Sequence, residues 1–290
     1  MSAELTGQSL SLEDGRTLGF AEWGNPAGTP VFHFHGSSSS RLEHPVDPGS
    51  LDGVRLVTVD RPGHGHSGFQ AERRLVDWPS DVVALADHLG IDSFAVSGWS
   101  FGGPYAMVCA RLIPNRLTRV ALISSFAPHD RPGSTAGMAR FNKVALGLAR
   151  RAPWWLGRQI MSIQGKALTN KPEETAKRML SSLPDVDRKV LEQSAVVDVL
   201  LPAMTEAYRH GADGPAWEGQ MLVRPWGFDL SEISVPIEIW HGDADVNNPL
   251  QSAIYLRDTI PGSHATILEG EGHFHIFKHW DEILDQITRT

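Results

Sequence analysis

Gly98-Trp99-Ser100-Phe101-Gly102 is a G-x-S-x-G run with a further glycine, Gly103, directly behind it. A serine hydroxyl becomes a nucleophile once a neighbouring base takes its proton. Glycines on either side let the backbone turn sharply without side-chain collision, which leaves that hydroxyl presented at the turn. The pattern alone recurs in many turns, so its setting carries the weight. Phe94-Ala95-Val96-Ser97-Gly98 before it reads as a buried strand, and the small apolar stretch from Gly102 to Ile113, stopped by Pro114, reads as a helix. Ser100 is therefore the candidate nucleophile, held on a strand-to-helix turn.

Such a serine needs a base, and the chain offers 13 histidines. His273 stands out by position. It lies in Gly270-Glu271-Gly272-His273-Phe274, just after the last predicted strand, on a loop at the carboxyl edge of the sheet where Ser100 also falls. The base in turn needs a carboxylate to fix its tautomer and stabilise the imidazolium. His241-Gly242-Asp243-Ala244-Asp245 follows another predicted strand and offers two, Asp243 and Asp245, between which spacing does not choose. The chain order serine, aspartate, histidine suits a serine on a strand-to-helix turn.

The elements that must position these residues follow from the apolar periodicity. Gln8 to Glu13 and Thr17 to Trp23 alternate on either side of Asp14-Gly15, which predicts a hairpin. Pro30 to His35, Leu56 to Asp60, Phe94 to Gly98, Val120 to Ser124, Pro236 to Trp240 and His264 to Glu269 read as further strands. Helical spacing covers Val76 to Leu89, ended by Gly90, then Gly102 to Ile113, Leu250 to Thr259 and Ile276 to Ile287. The rhythm is lost between Ala127 and Asp229, which is helical in character. The expected fold is α/β, a mostly parallel sheet with an antiparallel N-terminal edge, interrupted by a helical insertion.

Composition agrees with a globular chain. Of the 290 residues 41% are apolar and 21% charged, and the net charge of -8 disfavours a nucleic-acid partner. The single cysteine, Cys109, forms no intramolecular disulfide, sits within a predicted helix as a packing residue, and suits a reducing cytoplasm. Met1 to Gln8 lacks the basic and apolar regions of a leader, and no apolar run reaches the ~20 residues of a membrane span. The expectation is a cytoplasmic protein acting on a small molecule, with no signal for an oligomeric state.

Four segments make the likeness to a known family specific. Phe34-His35-Gly36-Ser37 resembles the His-Gly oxyanion loop of α/β-hydrolase-fold proteins, and Asp60-Arg61-Pro62-Gly63-His64-Gly65-His66-Ser67 resembles their D-x-x-G-x-G-x-S segment. The G-x-S-x-G elbow and the Gly272-His273 loop complete the set. The resemblance covers essentially the whole chain and implies a capped serine hydrolase of the esterase type that needs no cofactor or metal. It implies Asp245 as the acid, because Gly242, Asp245 and Pro249 fit the family's G-x-x-D loop with a proline four residues on, and Asp243 does not. It implies an oxyanion hole from the N–H groups of Phe101 and Ser37, with Ser38 as the alternative. Residues 1–126 and 230–290 would form the core and residues 127–229 a helical cap. Phe126, Phe141, Trp154 and Trp155 become candidate substrate-pocket residues, with Leu146 and Met161 also in the cap.

Competing readings are weaker. His33-x-His35, His64-x-His66 and His273-x-His275 could each chelate a metal, but every pair overlaps one of these motifs and lacks carboxylate or cysteine partners. No G-x-G-x-x-G opens a helix and no P-loop lysine is present. Two alternatives keep the fold and change the function. One is a cofactor-free lyase or C–C hydrolase, and the other is a small-molecule receptor with a slow triad. Serine rather than aspartate at the elbow argues against haloalkane or epoxide chemistry.

Overall fold

The computed structural model describes residues 5–129 and 134–289. Residues 1–4 of the stretch read for a leader, residues 130–133 of the expected insertion, and residue 290 lie outside the described residues. Strands β1 (Leu5–Ser11) and β2 (Thr17–Gly24) form the antiparallel hairpin. β1 stops short of Glu13. Asp14 uses its carboxylate to accept from the Arg16 N–H and guanidinium, and Leu12 N–H donates to Arg16 O. These side-chain bonds build a wider turn than the two residues Asp14-Gly15 suggest.

The chain continues through β3 (Thr29–Phe34), β4 (Val54–Val59), α1 (Trp78–His88), β5 (Phe94–Trp99), α2 (Gly102–Leu112) and β6 (Leu117–Ile123). Among the described residues six helices follow before the sheet resumes: α3 (Arg140–Arg151), α4 (Trp154–Asn170), α5 (Pro172–Ser181), α6 (Asp185–Leu191), α7 (Ser194–Glu206) and α8 (Asp213–Leu222). β7 (Ile237–Gly242), α9 (Leu250–Thr259), β8 (His264–Leu268) and α10 (Ile276–Thr288) close the fold.

The strands form one eight-stranded sheet in the order β1-β2-β4-β3-β5-β6-β7-β8. β4 pairs antiparallel with β2, and from β4 to β8 every pairing is parallel. Parallel strands need helices on both faces, and the pleat shows them. On β3, Phe32 and Phe34 enter the core with Trp78 of α1 and Met107 of α2, while Val31 faces the opposite core with Trp280 of α10. Burying Phe32 and Phe34 contributes roughly 1.5–3 kcal/mol each. Every residue of β5 and β7 is buried, which suits the strands that carry the elbow and the aspartate loop. The arrangement brings the carboxyl ends of β3, β4, β5, β6, β7 and β8 to one edge, so six loops far apart in sequence converge there.

Candidate active site

The turn after β5 places Ser100 at φ +54°, a region that costs a non-glycine residue energy and that persists where the surroundings over-determine it. Two bonds hold it: Ser100 N–H donates to Ile123 O, and Phe126 N–H donates to Ser100 O. A Cβ at Gly98 would strike the carbonyl of Gly102, one at Gly102 the carbonyl of Phe34, and one at Gly103 the Ser125 hydroxyl. The glycines are required by this close approach of strand, turn and helix.

Ser100 Oγ lies 3.0 Å from His273 Nε2, and His273 Nδ1 lies 2.8 Å from Asp245 Oδ2. Nδ1–H donating to the carboxylate leaves Nε2 unprotonated, able to accept the serine proton. The three residues are 6%, 5% and 3% exposed, in the order Ser100, His273 and Asp245. Asp245 Oδ1 accepts from the N–H groups of Asn247 and Asn248, so the carboxylate is fixed at both oxygens. Burial pulls His273 down, but the charge and hydrogen bond of Asp245 outweigh it and raise its pKa above the ordinary histidine value. Burial likewise opposes the charge on Asp245, and His273 overcomes it, so the carboxylate titrates below its usual range. Neighbouring His241 donates Nε2–H to Asn248 O at 2.7 Å, and burial keeps it neutral, so it does not compete for Asp245. Asp243 is exposed and accepts the Gly270 N–H at 2.8 Å. The structure brings Asp245 to the histidine and leaves Asp243 bracing a surface loop.

Trp99 ties the elbow to the histidine loop. Its indole N–H donates to His273 O at 3.1 Å, and its ring lies against His273, Phe274 and Phe277. A Cβ on Gly36 would meet that same ring, so the loop after β3 is pressed onto the elbow. Ser37 is exposed at this loop, and Phe101 opens α2. Neither of their N–H groups takes an intramolecular acceptor among the described residues, as donors reserved for a developing oxyanion would require. Ser38 is buried at φ +49°, and its Oγ accepts from Tyr208 O–H at 3.1 Å.

Several residues that shape these loops are not specified by any motif, Arg61 filling a variable position of the D-x-x-G-x-G-x-S segment. Glu43, fully buried, accepts the Gly36 N–H on both carboxylate oxygens and lies 2.9 Å from His33 Nε2. Arg61, also fully buried, donates to the carbonyls of His35 and Gly36 and pairs with Glu218 of α8. Glu218 accepts in addition from Tyr105 O–H at 2.9 Å. Asp187 of α6 accepts the Phe274 N–H at 3.1 Å, against Gly272, where a Cβ would strike its carboxylate. Burial raises the pKa of Asp187, and its Oδ2 has no hydrogen-bond partner. Helices α6 and α8 and Tyr208, just after α7, thus reach the histidine loop, the loop after β4 and the loop after β3.

Breaking the Arg61–Glu218 pair should be costly. A buried ion pair broken from one side leaves the other charge uncompensated, which costs about 3–5 kcal/mol. Glu218→Ala is expected to lower the unfolding free energy by that amount, read as a lower urea midpoint at an unchanged slope. A loss under about 1 kcal/mol would mean that Arg61 finds water or another carboxylate.

The four expected pocket residues part company. Phe126 is 2% exposed and packs edge-on against Phe101, beside the elbow. Trp154 lies between Phe69 and Trp217, in the packing of α4 on the core. Phe141 and Trp155 are 81% and 61% exposed and face solvent, so neither lines an enclosed pocket. Aromatic character in a helical stretch does not say which way the helix turns.

Of the histidine pairs, His33 is engaged by Glu43 and Ser97, His35 donates to Gly36 O, and burial holds His275 neutral, down to about 3. Among the described residues no group of three His, Cys, Asp or Glu is arranged to hold a metal ion. Cys109 is buried in α2, and burial pushes its thiol up, away from the reactive thiolate. No helix of the described residues is long and apolar enough to cross a membrane.

Known proteins share this architecture. A pimeloyl-[acyl-carrier protein] methyl ester esterase from Aromatoleum aromaticum is 28% identical over 244 residues, 82% of this chain and 88% of that protein. A proline iminopeptidase from Xanthomonas citri is 35% identical over 111 residues, spanning 35% of this chain and 34% of its own length. The crystal structure of a hydrolase from Pseudomonas aeruginosa PA01 superposes with a TM-score of 0.71 at 18% identity, covering 98% of each chain. The profile of the alpha/beta hydrolase family matches residues 31–286, and the chain belongs to that family.

Proposed function

We propose that the protein is a serine esterase that cleaves a small carboxylic ester through an acyl-enzyme. Ser100 attacks the ester carbonyl as His273 Nε2 takes its proton. Asp245 holds the imidazole in that tautomer and stabilises the imidazolium. The N–H groups of Ser37 and Phe101 receive the oxyanion. His273 then gives its proton to the departing alcohol, and water activated by the same nitrogen releases the acid. Residues 127–229 act as a cap, with α6, α8 and Tyr208 anchored to the loops they cover, and so keep bulk solvent from the site while the single water that deacylates the enzyme is admitted. The natural compartment on this reading is the cytoplasm, and no cofactor takes part.

The observation that carries the reading is the continuous relay from Ser100 through His273 to Asp245, with both contacts at hydrogen-bond length and all three groups buried. The methyl ester esterase relative supports a small leaving alcohol. The test is a fluorophosphonate probe followed by peptide mapping, together with a panel of short- and long-chain esters. Labelling is expected at Ser100 and nowhere else, with turnover greatest on short acyl chains. A folded protein that takes no label would remove the esterase reading and favour a small-molecule receptor. Labelling without ester turnover would favour lyase or C–C bond chemistry at the same serine.

A further inference from the structure

Nine large apolar side chains stand exposed among the described residues, and six of them lie between 141 and 163. Three belong to α3: Phe141 at 81%, Val144 at 56% and Leu148 at 46%. Their spacing of i, i+3 and i+7 puts them in one stripe along the helix. The stripe is not the side that packs on the protein. Leu146 and Ala149 already meet the core, and Asn142 Nδ2 donates to Asn247 Oδ1 at 2.9 Å. α3 therefore has an inner side that is satisfied and an outer side that is apolar. Two residues after it ends, α4 continues the pattern with Trp155 at 61%, Ile160 at 43% and Ile163 at 70%.

Charge is segregated in the same place. From residue 131 to 172 the chain carries eight Lys and Arg and no Asp or Glu, within a protein of net charge -8. Arg140 and Arg151 flank the stripe on α3, one turn from Val144 and Leu148 respectively. Neither they nor Lys143 take an ion-pair partner among the described residues. Exposed aromatic and aliphatic side chains bordered by uncompensated basic ones match the interface of an anionic bilayer, where rings and branched chains enter the acyl boundary and cations meet phosphates. The apolar residues are spread along the exposed sides of two consecutive helices. That suits a fluid surface better than a protein partner, whose anchors seek pockets.

We infer that α3 and the first half of α4, up to Ile163, form a surface that docks the protein peripherally on anionic phospholipid. The inner side of α3 touches Asn247, two residues from Asp245, so docking would turn this side of the site toward the membrane. The inference stands apart from the chemistry at Ser100.

Flotation with phosphatidylcholine vesicles, with and without about one-third phosphatidylserine, tests it. The protein is expected to float with the anionic vesicles and to be released by salt. Val144→Asp/Ile163→Asp and Arg140→Glu/Arg151→Glu are each expected to weaken that binding by about tenfold or more, with circular dichroism and short-chain ester turnover unchanged. Failure of the wild type to float, or flotation of both variants like wild type, would overturn the inference. So would a wild-type dimer that Val144→Asp/Ile163→Asp dissolves, with no flotation, since a second copy would then cover the face. Binding of an acidic protein in place of vesicles would overturn it as well.

Discussion

Ser100→Ala is expected to reduce ester turnover by about 10⁴-fold or more while leaving the fold intact. The substitution removes Oγ and with it the atom proposed to form the acyl-enzyme. It keeps the Cβ, so the cost of φ +54° is already present in the wild type, and the backbone bonds to Ile123 and Phe126 do not involve the hydroxyl. The loss in stability is one side-chain hydrogen bond, about 1 kcal/mol. His273→Ala should cost as much in rate, because without the base the hydroxyl keeps its proton at neutral pH. The double variant should be scarcely worse than either single one, since the groups act as a unit. What remains above the rate in water would come from the N–H groups of Ser37 and Phe101 and from binding. Steady-state kinetics on a short-chain aryl ester, with the variants checked by thermal unfolding, measures all three. A Ser100→Ala protein within tenfold of wild type would place the nucleophile elsewhere.

The parts of this site legible in the sequence are those set by local geometry. A turn that brings Gly98 against Gly102 and Gly103 against Ser125 admits no side chain, so its glycines print a pattern around Ser100. His273 can be located because a loop following a parallel strand has one edge to go to. The supports are not legible for the opposite reason. Arg61 and Glu218 are 157 residues apart, and neither residue type announces its partner. Glu43 and Asp187 look like solvated carboxylates until the fold buries them beneath the loops after β3 and β8. The helices between β6 and β7 are recognisable as helices, yet α3 carries apolar residues on both its inner and outer sides. Periodicity does not reveal that Phe141 and Trp155 face outward.

The two aspartates of the β7 loop should separate by several powers of ten. Asp245→Asn is expected to lower kcat by about 10⁴-fold, because an amide presents its N–H to the imidazole and favours the wrong tautomer. Asp243→Asn replaces a charged acceptor for the Gly270 N–H at the surface by a neutral amide oxygen and should cost at most about 1 kcal/mol of stability with little change in rate. The pH profile adds a second readout. His273 acts as a base only when neutral, so wild-type kcat/KM should fall as pH drops through a value above the ordinary 6.5. Asp245→Asn keeps the burial that pulls the imidazole down and removes the charge that lifts it, so the residual activity should lose its proton dependence at a lower pH. Linkage gives the matching sign for stability. A histidine with a raised folded pKa contributes stabilisation that is complete below its unfolded value and is lost as pH climbs through the folded one. Across that window the fold weakens while the base is released for catalysis, and in Asp245→Asn both trends should leave that window together, the kinetic limb moving to lower pH. If Asp243→Asn shifted the limb instead, the acid would be Asp243.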